Sequence, residues 1–291
     1  MGAGGGPGRE VADSPGSAPP MLVAVSLKMY FSHRQTLRWC EQVARLAREH
    51  QAIRSGAVAL VVLPGFTALA QAVRLLSGTG VHVGAQDLFW DDRGPFTGEI
   101  GGKELDEIGC RFAEVGHAER RTIFHETDRV VALKLLAARR NGLIPLLCVG
   151  ETEYTSPRAA ADSSIAQVEA ALALWTAPDS MAATTRLADP PQLSLAVAYE
   201  PVWAIGARRP APQAHIATVC DALRRWLADK RADLGESRVL YGGSAGQGLL
   251  GGLGGSADGL FLGRFAHDPR ALSVILDDAL AYSVAHRASG P

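Results

Sequence analysis

LSLAVAYEPVWAIG, residues 193–206, opens as a nearly continuous apolar run and breaks at a carboxylate followed by proline. The run LSLAVAY (193–199) shows no polar–apolar alternation, the pattern of a strand covered on both faces in a parallel sheet. Glu200 then stands where that strand ends, with Pro201-Val202-Trp203 beyond it.

Working outward, seven more short apolar runs have the same character. They are LVAVSL (22–27), VALVVL (58–63), VHVGAQ (81–86), CRFAEV (110–115), LIPLLCV (143–149), SRVLYG (237–242) and DGLFLG (258–263). Amphipathic stretches lie between them. Residues 36–49 carry Leu37, Cys40, Val43, Ala44 and Ala47 at helical spacing, and 128–140, 164–175, 215–234 and 269–285 behave alike. The link from 246 to 255 is the weak unit, because six of its ten residues are glycine. Eight strand-then-helix units after residue 20 predict a single (β/α)8 barrel. Periodicity alone also fits an open doubly wound sheet, but no GxGxxG opens a helix after the first strand.

Composition bounds the rest. Residues 1–20 are rich in Gly, Pro and Ser and are expected to form a disordered tail ahead of one domain, 21–291. A net charge of −1 argues against a nucleic-acid partner. No run approaches the roughly 18 apolar residues of a membrane span. Four scattered cysteines without a CxxC pair argue against disulfides or a zinc site and suit a reducing cytoplasm.

Barrel enzymes carry their chemistry at the carboxyl ends of the strands. There the sequence offers Lys28, Gln86, His117, Glu200, Gly242-Gly243-Ser244 and Gly263-Arg264. Shifting a hydrogen between adjacent carbons of a hydroxy-ketone needs a base, an electrophile at the carbonyl oxygen and a cation for the enediolate. Glu200 under an apolar lid suits the base, since excluding water raises basicity. His117, at a strand-to-helix turn, suits a neutral donor, because a helix N-terminus disfavours the imidazolium. Lys28 supplies the cation, and glycines 206, 242, 243 and 263 let backbone N–H groups approach a phosphate.

SLKM (26–29), FTGEI (96–100), VGHAERR (115–121), AYEPVWAIG (198–206) and YGGS (241–244) resemble the signature segments of the triosephosphate isomerase family, in order and spacing, over roughly residues 21–285. AYEPVWAIG is highly specific and VGHAERR nearly so; YGGS alone is weak. That family is the standard case of a glutamate base with a neutral histidine under a closing loop, on a (β/α)8 TIM barrel. The resemblance implies that Glu200 is the base, His117 the electrophile and Lys28 the charge-neutralising cation held by Glu119. It implies a lid over 201–210, phosphate contacts from Gly206, Ser244, Gly263 and Arg264, and a substrate contact from Ser26. Thr97 would reach a neighbouring subunit's site, so a homodimer is expected. Cys148 is expected as a buried strand residue and Glu126 as a carboxylate behind the site. The implied reaction is interconversion of dihydroxyacetone phosphate and glyceraldehyde 3-phosphate, with no metal or organic cofactor.

Three departures bear on the substrate. Ser26 stands where the family usually has asparagine, and offers one donor in place of an amide. The far lid hinge is Ala207-Arg208-Arg209-Pro210, and Arg264 replaces the second glycine of the last phosphate loop. GAQDLFWDDRGPFTGEI (84–100), NGLIPLLCVGET (141–152) and DGLFLGR (258–264) look closest to a divergent branch, some of whose members isomerise erythrulose phosphates. The expected substrate is therefore a triose phosphate, with a four-carbon phosphosugar of the L-erythrulose 1-phosphate type as the alternative. A barrel that binds phosphometabolites without catalysis is the reading from another class. Arg120 and Arg121 are expected as ion-pair partners, and Cys148 as packing.

Overall fold

The computed structural model of the chain describes residues 19–175 and 193–288. The expected tail therefore lies outside the described residues except for Pro19 and Pro20, as do residues 176–192 and 289–291 of the expected domain. Among the described residues eight strands form: β1 (Met21–Ser26), β2 (Val58–Leu63), β3 (Val81–Ala85), β4 (Phe112–Val115), β5 (Ile144–Val149), β6 (Leu193–Tyr199), β7 (Glu236–Tyr241) and β8 (Gly259–Leu262). Every neighbouring pair is parallel, and β1 bonds both β2 and β8, with Val23 opposite Leu60 on one side and Leu260 on the other. A sheet whose first strand has a neighbour on each edge in this way has closed, so the doubly wound alternative is excluded.

Closure creates two apolar layers from each strand. Leu22, Ala24, Val61, Leu63, Leu146 and Phe261 fill the barrel interior. Val23, Val25, Leu60, Val62, Val197 and Val239 point outward and pack beneath the helices. Both faces are dry, which is why the runs lack alternation. Each side chain of this size buried contributes roughly 1.5–3 kcal/mol, before the entropy of ordering is set against it.

The helices are α1 (His33–Glu49), α2 (Gln51–Arg54), α3 (Leu69–Leu76), α4 (Gly102–Glu107), α5 (Ala118–Ile123), α6 (Asp128–Arg140), α7 (Pro157–Ala171), α8 (Gln213–Lys230), α9 (Leu249–Gly252) and α10 (Pro269–Ala288). Ser32 and Gln35 close a capping box on α1. Helix α7 starts at Pro157 instead of the expected 164, because Ser156 caps Ala159 and proline suits the first helical position. The glycine-rich link forms only the single turn α9, as its composition predicts. All four cysteines are free and buried. Among the described residues no helix is long and apolar enough to cross a membrane.

Candidate active site

The expected polar residues converge at the carboxyl-end mouth of the barrel. Leu27 and Lys28 follow β1, and Lys28 takes a left-handed backbone (φ 46°), rare and costly for a side chain with a Cβ. Gln86, just beyond β3, holds that turn by donating its amide Nε2 to the carbonyls of Lys28 at 3.1 Å and Leu63 at 2.9 Å. The Lys28 ammonium then reaches Glu119 Oε1 at 2.7 Å. Burial pulls the Lys28 pKa down, but the Glu119 hydrogen bond and the charges of Glu200, Glu119 and Glu114 outweigh it and hold the group above the ordinary lysine value. Lys28 is a fixed cation.

His117 caps α5. Its Nδ1 accepts the backbone N–H of Glu119 at 3.0 Å. A ring nitrogen that accepts carries no hydrogen, so this geometry holds the neutral tautomer with the hydrogen on Nε2. That Nε2 faces Glu200 Oε2 at 3.4 Å. Both atoms are buried and neither makes a hydrogen bond within the described protein. A donor and a carboxylate oxygen thus face a common point without satisfying each other.

Glu200 is 7% exposed. Its space is carved by two glycines: a Cβ on Gly242 would stand 2.7 Å from Glu200 Oε1, and one on Gly150 would strike the Glu200 carbonyl. The chain leaves β6 here because Glu200 still bonds Val149 O at 2.8 Å, after which Pro201 cannot continue the ladder.

A cavity of about 610 Å³ opens beside these groups, lined by Ser26, Lys28, Glu119, Glu200 and, at its far end, Gly206, Ser244, Gly263 and Arg264. The proposed lid leaves Glu200 through the turn Val202–Ala204. Ser244 also takes a left-handed backbone, and its single hydroxyl hydrogen is shared between Ala204 O and Ala207 O, each 2.9 Å from its Oγ. That ties residues 204–207 to the β7 loop. The turn Arg264–His267 begins at the same end, where the first N–H groups of a helical turn lack partners within it. The Arg264 guanidinium lies against Gly206, 3.4 Å from where a Cβ of that residue would stand. Thr97 is exposed on the loop between β3 and α4 and does not line this cavity.

Cys148 is buried inside the barrel, and burial with the charges of Glu200 and Glu114 holds its thiol well above the usual range, so it packs as a thiol. Glu126 belongs to a buried network: Lys134 reaches Asp87 and Glu126 at 2.6 Å each, and Arg120 reaches Asp87 at 2.9 Å. Arg121 pairs with Asp128 at 2.7 Å.

Two carboxylates escaped the sequence reading. Glu114 sits inside β4, 3% exposed, and accepts a hydrogen bond from Ser26 Oγ at 3.0 Å. Burial pushes its pKa up to about 7, which Glu200 reinforces and His117, Ser26 and Lys28 oppose. A charge inside the apolar run CRFAEV was the signal available. Glu151 anchors the turn after Glu200, accepting from Trp203 Nε1 at 2.8 Å and from Tyr199 OH at 3.1 Å. His215 Nε2 lies 3.3 Å from the same oxygen.

A closed parallel barrel whose carboxyl-end mouth gathers a buried carboxylate, an imidazole facing it and an ammonium defines the class: a (β/α)8 barrel with a polar site at that mouth. The family model of triosephosphate isomerase matches residues 21–279, and the chain belongs to that family. It is 49% identical to the L-erythrulose-1-phosphate isomerase of Pectobacterium atrosepticum, over 92% of this chain and 98% of that protein. It is 42% identical to the triosephosphate isomerase of Moorella thermoacetica, over 64% of this chain and 70% of that protein. Against the L-erythrulose-1-phosphate isomerase of Mesorhizobium japonicum it is 42% identical, over 70% of this chain and 77% of that protein.

Proposed function

We infer that the chain is an enzyme that isomerises L-erythrulose 1-phosphate by proton transfer through an enediolate. The observation that carries this reading is its 49% identity, over 92% of the chain, to a protein named for that activity. The carbon bearing the phosphate ester has no free hydroxyl, so the carbonyl can move only from C2 to C3. Glu200 takes the proton from C3 and returns it to C2, while the hydroxyl proton passes from the C3 oxygen to the C2 oxygen. His117 Nε2–H bonds those oxygens, and Lys28 stabilises the negative charge that develops on them. Glu119 positions Lys28. The lid, with Gly206, Ser244, Gly263 and Arg264, holds the phosphate and excludes water.

Triose phosphate isomerisation is the second reading, favoured by the 42% identity to the Moorella thermoacetica enzyme. The two share every catalytic step and differ in the chain length of the sugar. A non-catalytic phosphometabolite-binding barrel fits less well, since Lys28, Glu119 and Glu200 line one cavity and His117 Nε2 faces Glu200 beside it at 3.4 Å. We read the protein as a cytoplasmic homodimer in which Thr97 reaches the partner's site.

Purified protein assayed side by side with L-erythrulose 1-phosphate and dihydroxyacetone phosphate tests the reading. A higher kcat/KM for the four-carbon sugar is expected. Preference for the triose moves the assignment to the second reading, and no turnover of either overturns both. Sedimentation as a monomer at micromolar concentration overturns the dimer.

A further inference from the structure

The four-carbon sugar phosphate differs from the three-carbon one by a hydroxymethyl group on the carbon that gives up its proton. Strong discrimination between two such substrates requires a site group that pairs with the extra hydroxyl and is left unpaired without it. Ser26 is placed for that contact. It ends β1, lines the cavity with Lys28 and Glu200, and is itself only 2% exposed.

The Ser26–Glu114 hydrogen bond decides what Ser26 can offer. A serine hydroxyl has one hydrogen and two lone pairs. Here the hydrogen is directed at Glu114 Oε2, 3.0 Å away inside the barrel. Ser26 is left with lone pairs for the cavity. Such a group gives nothing to a carbonyl or enediolate oxygen and pairs well with a substrate O–H. A protonated Glu114 reverses the polarity, because its own O–H can donate to Ser26 and release the serine hydrogen toward the cavity.

We propose that Glu114 is a positioning residue that fixes Ser26 as a hydrogen-bond acceptor, and that Ser26 thereby recognises the terminal hydroxyl of a four-carbon sugar phosphate. The proposal rests on the four-carbon reading above. The groups that face Glu114 are Ser26 at the end of β1, Lys28 just beyond it, His117 just beyond Glu114's own strand, Cys148 on β5 and Glu200 after β6. Its raised pKa of about 7 puts the polarity change within the range of an ordinary rate profile.

The test measures kcat/KM for L-erythrulose 1-phosphate and dihydroxyacetone phosphate, as a function of pH, in the wild type, Glu114→Gln and Ser26→Ala. In the wild type the four-carbon preference should rise as pH passes through about 7. Ser26→Ala should lower that preference by about tenfold, the scale of one lost hydrogen bond to substrate, and both variants should flatten its pH dependence, because neither an alanine nor a glutamine amide leaves a titrating Ser26–Glu114 pair. Limbs from the substrate phosphate persist in all three proteins. If the pH-dependent preference survives in Ser26→Ala, Glu114 acts on the catalytic groups directly and the proposal fails. Equal losses on both sugars in either variant also overturn it. A wild type that prefers the triose removes the four-carbon reading itself and the proposal with it, an outcome visible before any variant is made.

Discussion

The Nε2 of His117 stands 3.4 Å from Oε2 of Glu200, while its Nδ1 accepts the amide hydrogen of Glu119 at 3.0 Å. One bond fixes the tautomer and the other contact sets the distance at which a substrate meets both donor and base. Glu200→Gln keeps the shape of the side chain and removes the base. Its kcat/KM should fall about 10²- to 10⁴-fold, the usual worth of general base catalysis. Exchange of the substrate's transferred hydrogen with deuterated solvent should fall in parallel. Wild-type exchange in this variant would sink the assignment of Glu200.

Glu119 separates activity from stability. Its side chain is 46% exposed, so its 2.7 Å pair with Lys28 contributes less than about 1 kcal/mol to folding. Losing that partner frees the Lys28 ammonium from its place in the site. Glu119→Gln should therefore cost about tenfold in kcat/KM with a midpoint of urea unfolding close to wild type. A large drop in stability with intact turnover would identify the pair as structural.

Much of this arrangement was legible in the sequence because the barrel turns order along the chain into position in space. Eight double-sided apolar runs predicted closure, and each residue just after a run arrived at the mouth. Lys28, His117 and Glu200 could be picked out in this way, and the family resemblance assigned their roles. Glu114 could not, because alternation vanishes when both faces of a strand are dry. In CRFAEV nothing distinguishes the interior side from the helix side, so one carboxylate among apolar residues gave no direction. Glu151 and His215 were hidden for a related reason. Their meeting depends on how β5, β6 and α8 pack, across 64 residues of chain. The start of α7 was misplaced because its first turns are filled by small alanines and set by Ser156 and Pro157, not by apolar spacing.

Gly242 shapes the space that holds Glu200. A methyl group at this position would come within 2.7 Å of Glu200 Oε1 and closer still to its Cγ. The neighbouring backbone belongs to the barrel, so the carboxylate must give way. Gly242→Ala should cost at least about 10²-fold in kcat, the scale of an ångström of misplacement at a reacting centre. Substrate affinity measured by KM should change far less. Unchanged kcat would mean that the carboxylate has room to move without leaving the reacting carbon.

Glu114 gives the fold a pH dependence of unusual sign for a carboxylate. Its folded-state pKa of about 7 lies above the ordinary 4.5, so between those values the native protein holds more protons than the unfolded chain. Stability contributed by this group is therefore complete below about pH 4.5 and is lost as pH rises toward 7. The integrated loss is on the order of 3 kcal/mol. Salt-bridged carboxylates with lowered pKa values act in the opposite direction and are common to both proteins compared. Glu114→Gln removes only the first contribution. Urea unfolding at a series of pH values should show the variant gaining on the wild type as pH rises through this window. Parallel stability curves would mean that Glu114 ionises in the folded barrel as readily as in the unfolded chain, and that the surrounding Lys28, His117 and Ser26 fully offset its burial.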